Sequence, residues 1–134
     1  MLTETVRADW IRGQAFLLSD HHGFPIVMTQ PNGISGADLL PLSLIGCAAW
    51  SILAIVQKQR QRVTGFQVTA DSERDEAPPW RFRRIRVRYR FTGHDLDSER
   101  IRQAIKLTES KYCSVYATLR DAVEIVSAFE VVNE

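Results

Sequence analysis

The stretch LLPLSLIGCAAWSILAIV, Leu39 to Val56, runs for 18 residues without a charge. It is long enough to reach the lower limit for a membrane-spanning helix. Pro41, Ser43, Gly46, Cys47 and Ser51 dilute its hydrophobicity, and a lysine and arginine cluster lies only after it. The rest of the chain reads as strands and amphipathic helices that need a core. The stretch is therefore expected to be a buried central helix, with no membrane as partner. One small sheet cannot cover a helix that is apolar on every side, so a second subunit is expected to cover the remainder. Ser35 suits the N-cap, with Asp38 three residues on and in the first turn. Pro41 comes early enough to be tolerated. Gln57 to Arg62 form the polar end, and Gly65 closes the exit.

Working outward, Val6–Ile11, Gln14–Leu18 and Pro25–Met28 have β character and are separated by turn residues. They read as an antiparallel meander. After the helix, Phe66, Val68 and Ala70 alternate with Gln67, Thr69 and Asp71. Beyond a break at Ala77-Pro78-Pro79, Ile85, Val87, Tyr89 and Phe91 alternate with Arg84, Arg86, Arg88 and Arg90. Period two gives each strand one apolar and one polar face. Pairing Phe66 with Phe91 and Val68 with Tyr89 sets Asp71 opposite Arg86 and Glu73 opposite Arg84. The arginines are then matched from within, which argues against nucleic acid as a partner. Asp95 to Ser98 open a second helix with Ile101, Ala104 and Ile105 on one face. A break follows around Glu109 to Lys111, then a short helix from about Ser114 to Arg120 and a last strand, Val123 to Val132. His94 reads as a loop residue. The expected fold is α+β, a mostly antiparallel sheet packed on helices, in a single domain spanning 1–134.

Composition agrees. The chain has 134 residues, 17 Lys+Arg against 16 Asp+Glu, and a net charge of +1. Two cysteines are too few for a disulfide scaffold, and the charge is too balanced for a dedicated nucleic-acid binder. With no CxxC and three histidines, a structural zinc site lacks ligands. The first residues lack the basic start and apolar core of a signal peptide, so a cytoplasmic location with reduced thiols is expected.

The cysteines sit differently. Cys47 has Ser43, Leu44, Trp50 and Ser51 as its helical neighbours, a mostly apolar wall that raises a thiol pKa. A reactive Cys47 would need help from outside its own helix. Taken alone it reads as a small buried hydrophobe. Cys113, in Lys111-Tyr112-Cys113-Ser114, stands where the chain enters a short helix, beside a lysine; both features favour thiolate. Its other reading is a core residue at a helix junction. Spacing alone does not pair the two.

The segment Ser35-Gly36-Ala37-Asp38-Leu39-Leu40-Pro41-Leu42-Ser43-Leu44-Ile45-Gly46-Cys47 resembles the S-P-x-E-L-L-L-A-x-L-G-G-C signature of the OsmC/Ohr family. Glu109-Ser110-Lys111-Tyr112-Cys113-Ser114-Val115 is similar to that family's E-K-Y-C-x-V. Val63-Thr64-Gly65-Phe66 and the Thr92-Gly93-His94-Asp95-Leu96 turn match as well, so the resemblance covers nearly the whole chain. It implies an intertwined homodimer and a thiol peroxidase acting on organic hydroperoxides, and sometimes hydrogen peroxide, in oxidative-stress defence. It makes Cys47 the peroxidatic cysteine and Cys113 the resolving one. The disulfide between them would be recycled by a dithiol reductant, with no cofactor and no metal.

Three departures stand out. Asp38 replaces the family's glutamate, which normally orients a thiolate-stabilising arginine. Phe24 to Gly36 contain no arginine, leaving Arg12, then Arg7, as candidates. Ile45 replaces the first glycine before Cys47. The competing readings are a lipophilic-ligand binder on the same dimeric fold and a thiol redox sensor. His21 and His22 read as turn residues, and Trp10, Trp50 and Trp80 as core or interface anchors.

Overall fold

The computed structural model describes residues 1–30 and 32–134. They form two compact units, residues 1–40 and 41–134. The first holds β1 (Arg7–Arg12), β2 (Ala15–Ser19) and β3 (Pro25–Thr29), an antiparallel meander in the order β1-β2-β3. Gly13 turns β1 into β2 at φ +53°, a conformation open to glycine at no steric cost. Asp20 makes the next turn, its Oδ1 accepting from the N–H of Phe24 at 2.8 Å and of His22 at 3.0 Å. Those bonds, Phe24's first, hold its carboxyl below the usual range.

The long apolar stretch is helix α1 (Leu39–Lys58). It begins later than Ser35. Three overlapping turns lead in, with the N–H of Asp38, Leu39 and Leu40 bonded to the carbonyls of Ser35, Gly36 and Ala37, each at 3.2 Å. Ser35 Oγ does not cap; it accepts from Gln30 Nε2 at 2.7 Å. Asp38 consequently lies just before the helix, and Pro41 falls in the first turn, where a missing N–H costs little.

The second unit continues with β4 (Arg62–Arg74), β5 (Phe82–His94), α2 (Ser98–Leu107), a π-type turn (Thr108–Tyr112), α3 (Ser114–Leu119) and β6 (Glu124–Asn133). Leu44, Ala48, Ile52 and Val56, every fourth residue of α1, are buried against Ile85, Val87, Tyr89 and Phe91 of β5 and Ile101, Ala104 and Ile105 of α2. Truncating a fully buried position such as Ile52 to alanine removes about 2–5 kcal/mol of stability. Although α1 is long and apolar enough to cross a membrane, that stripe makes it the core helix of this unit. Its other flank is open in the single chain, with Leu42 at 47% and Trp50 at 81% exposure.

The β4–β5 register is the one the alternation predicts, including Asp71 opposite Arg86 and Glu73 opposite Arg84. The ion pairs run partly on the diagonal: Asp71 takes Arg88, while Glu73 takes Arg84 at 3.5 Å and Arg86 at 3.6 Å. Diagonal neighbours lie within reach of a side chain as long as arginine. Glu124 of β6 also holds Arg84, at 2.9 Å. The strand continues through His94, so that residue is not in a loop. Gly93 is required there, since a Cβ would meet the Arg62 carbonyl oxygen at 2.1 Å.

The strand pairings are mostly antiparallel, as expected, and the exception is β6, which pairs parallel with β5. The crossover of α2, turn and α3 carries the chain back before β6 begins, which makes the two strands run the same way. Asp97 caps α2, its Oδ1 accepting from the N–H of Glu99 at 3.0 Å and of Arg100 at 3.2 Å.

Candidate functional site

The two cysteines come from different elements, α1 and the N-cap of α3. α1 presents Cys47, half-buried, at the edge of its buried stripe. Cys113 sits at the junction of the π-type turn and α3, 2% exposed. Its extended backbone, φ −90° and ψ 103°, breaks the helix and makes it the N-cap of α3. Its N–H donates to the Thr108 carbonyl at 2.9 Å, and its Sγ accepts from the Tyr116 N–H at 3.4 Å. Both thiols are free.

The crossover brings the thiols close enough for each to shift the other's ionisation. Burial pushes the Cys47 thiol up. Donors outweigh it: the Cys113 S–H first, then the Val115 N–H, then the hydroxyl and N–H of Ser114. The net direction is below an ordinary thiol, so Cys47 is the sulfur that ionises. Help from outside its own helix was the condition set by its apolar neighbours, and the start of α3 supplies it.

Cys113 goes the other way and corrects the expectation that it favours thiolate. Burial, with Cys47 alongside, pushes it up to about 11. Lys111 does not serve the sulfur; its Nζ lies 5.8 Å from the centre of the Tyr112 ring. A helix start acts on whichever sulfur faces its N–H groups, and here those groups also face Cys47.

Of the other named residues, Arg7 pairs with Asp9 at 2.9 Å within its own sheet, and Arg12 ends β1. Asp38 lies in the turns before α1. Among the described residues, no group of three or more His, Cys, Asp or Glu side chains converges as a metal ion would require.

The sequence reading missed two features. Ser114 is one: it contributes both a hydroxyl and an N–H to Cys47. The other lies near Cys113, where Glu109 accepts a hydrogen bond from Ser127 Oγ of β6. The signal was Ser127 itself, a lone hydroxyl in the inward-facing series Ile125, Ser127, Phe129, Val131.

Comparison with known proteins adds a family. A family model described as OsmC-like protein matches residues 29–127. Protein YhfA of Escherichia coli (strain K12) is 35% identical over 129 residues, covering 94% of this chain and 96% of that protein. A hypothetical protein from Aquifex aeolicus VF5 superposes with a TM-score of 0.90 at 25% identity, covering 100% of this chain and 99% of that one. The organic hydroperoxide resistance protein OhrB of Bacillus subtilis has a TM-score of 0.62 at 17% identity, covering 96% and 98%, a likeness of fold.

Proposed function

This chain belongs to the OsmC-like protein family, and from that premise we propose that it is a thiol-dependent peroxidase of organic hydroperoxides. Membership supports a role in peroxide resistance or osmotic stress. One observation carries the finer reading: a sulfur held toward thiolate, Cys47, adjoins a buried sulfur held protonated, Cys113.

The chemistry follows from that asymmetry. The Cys47 thiolate attacks the terminal peroxide oxygen and the O–O bond breaks, leaving Cys47 as sulfenic acid and an alkoxide. Cys113 gives its proton to the alkoxide, which leaves as an alcohol. The Cys113 thiolate then attacks Cys47 Sγ, the S–S bond forms, the S–O bond breaks, and hydroxide leaves as water after taking a solvent proton. A dithiol reductant restores both thiols by exchange. This recycling fits a reducing compartment such as the cytoplasm.

Asp38 belongs to this proposal as the supporting carboxylate, with Arg12 or Arg7 as the guanidinium it would orient. So does a homodimer, because the open flank of α1 with Leu42 and Trp50 is an apolar face that a second copy would cover. The deciding experiment is consumption of cumene hydroperoxide with a dithiol reductant by wild type and Cys47→Ser. The substitution should abolish it; equal behaviour of the two would remove the peroxidase reading.

A further inference from the structure

The turn that delivers Cys113 is held by a carboxylate to which the chemistry above gives no task. Thr108–Tyr112 form a single π-type turn, closed by the Cys113 N–H on the Thr108 carbonyl at 2.9 Å. Such turns are uncommon and gather at functional sites. Within it, Glu109 accepts a hydrogen bond from Ser127 Oγ on β6 and faces the Tyr89 hydroxyl on β5. Tyr89 is 2% exposed. Arg102 and Lys106 of α2 complete the walls of a cavity of about 150 Å³ beside them.

An apolar side chain would pack this position without burying a charge. Burial already pushes the Glu109 carboxyl up, against the two hydroxyls that lower it. At the start of the turn, Thr108 Oγ1 is fully buried and has no partner among the described residues. The turn thus carries, on adjacent residues at its start, an unsatisfied hydroxyl and a pinned carboxylate. A buried unpaired hydroxyl calls for an explanation, and a turn shaped for something other than its own stability provides one.

We propose that Glu109 is a positioning residue for disulfide closure: by tying the turn to Tyr89 and Ser127, it holds Cys113 against Cys47. The inference rests on the peroxidase reading for its place in the cycle. It bears on the step in which Cys113 Sγ bonds to Cys47 Sγ and hydroxide leaves. It bears less on the attack of Cys47 on the peroxide, where Cys113 lends one donor among several.

The test separates those steps. Wild type, E109A, E109Q and S127A are each mixed with one equivalent of cumene hydroperoxide. Mass spectrometry then follows loss of the Cys47 thiol and appearance of the Cys47–Cys113 disulfide. In E109A, closure should slow about tenfold while oxidation of Cys47 falls only a few-fold, since a misplaced Cys113 loses its line to Cys47 outright but takes away one thiolate donor among several. E109Q keeps an acceptor oxygen for one hydroxyl and should restore most of the closure rate; S127A should fall between. Equal drops in the two rates in E109A, or no drop in either, would overturn the role. If E109A does not fold, S127A and Y89F decide, and unchanged closure in both overturns it.

Should wild-type Cys47 fail to consume peroxide, the peroxidase reading falls and oxidised dithiothreitol becomes the probe, because it closes the same disulfide by exchange. Slower closure in E109A would then support the positioning role on its own, and equal rates would remove it.

Discussion

Cys47 and Cys113 are the same side chain in adjoining places, and they are pushed in opposite directions. Cys47 is half-buried on a long, mostly apolar helix, and burial pushes its thiol up. It is nevertheless the more acidic, because the Cys113 S–H, the Val115 N–H and both donors of Ser114 converge on it. Cys113 caps a helix and accepts the Tyr116 N–H, yet it is held protonated by burial and by the neighbour it serves. What an element offers a thiol depends less on where the residue sits in it than on which sulfur its donors reach.

The largest way to break this comparison is to delete the acidic sulfur. Cys47→Ser should abolish peroxide consumption, read as loss of cumene hydroperoxide under a dithiol. Cys113→Ser should leave the first oxidation and remove the second. Cys47 would accumulate as sulfenic acid and over-oxidise with excess peroxide, seen by intact mass; normal dithiol-driven cycling in that variant would take Cys113 out of the resolving role.

The next test sharpens the comparison by pH. Iodoacetamide should label Cys47 with an inflection below that of an ordinary thiol, while Cys113 should resist until the pH nears 11. The signs for stability follow. Cys47, depressed in the folded state, stabilises above the ordinary thiol range and loses that contribution as pH falls through its folded value. Cys113, raised, stabilises below the ordinary range and loses it as pH climbs toward 11. Equal labelling of both at neutral pH would erase the distinction.

A smaller effect is expected from Ser114→Ala, which removes one donor and leaves the N–H groups. The inflection for Cys47 should move up, and its peroxide rate should fall a few-fold, consistent with about 1 kcal/mol for one hydrogen bond. Smallest for the thiols is Asp71→Lys with Glu73→Lys. Reversing these charges should lower the thermal midpoint by several degrees, since Arg84, Arg86 and Arg88 lose their β4 partners. The two thiol inflections should not move. An unchanged midpoint would mean that the cross-strand pairs add nothing to the hairpin.

The hairpin was legible because period-two alternation permits one register that keeps Phe66, Val68 and Ala70 on the face of Phe91, Tyr89 and Val87. The core helix was legible from its charge-free length. The parallel direction of β6 was not, because alternation in Glu124 to Asn133 is the same for either direction and only the crossover sets it. The start of α1 was misplaced because Ser35 carries a good capping side chain, and Gln30 takes its oxygen instead. At the site, both cysteines stood out by motif, but their electrostatics did not. The sequence neighbours of Cys113 favour ionisation, while burial under α1, β5 and α2 is a property of the folded core.

The parallel pairing of β5 with β6 also imposes an order in time. Arg84 and Glu124, partners across that ladder, are 40 positions apart, whereas β4 and β5 meet through a short loop. Contacts that close long loops form slowly, so the hairpin is expected to form first and the crossover to settle last. Ser114, Val115 and Cys113 travel with the crossover. Until it docks, Cys47 is an unassisted thiol on an apolar helix, and a pulse of alkylating agent during refolding should find it no more reactive than that. On the peroxidase proposal, the chain would become sensitive to oxidants only as its last strand goes home, and unfinished molecules would stay chemically quiet.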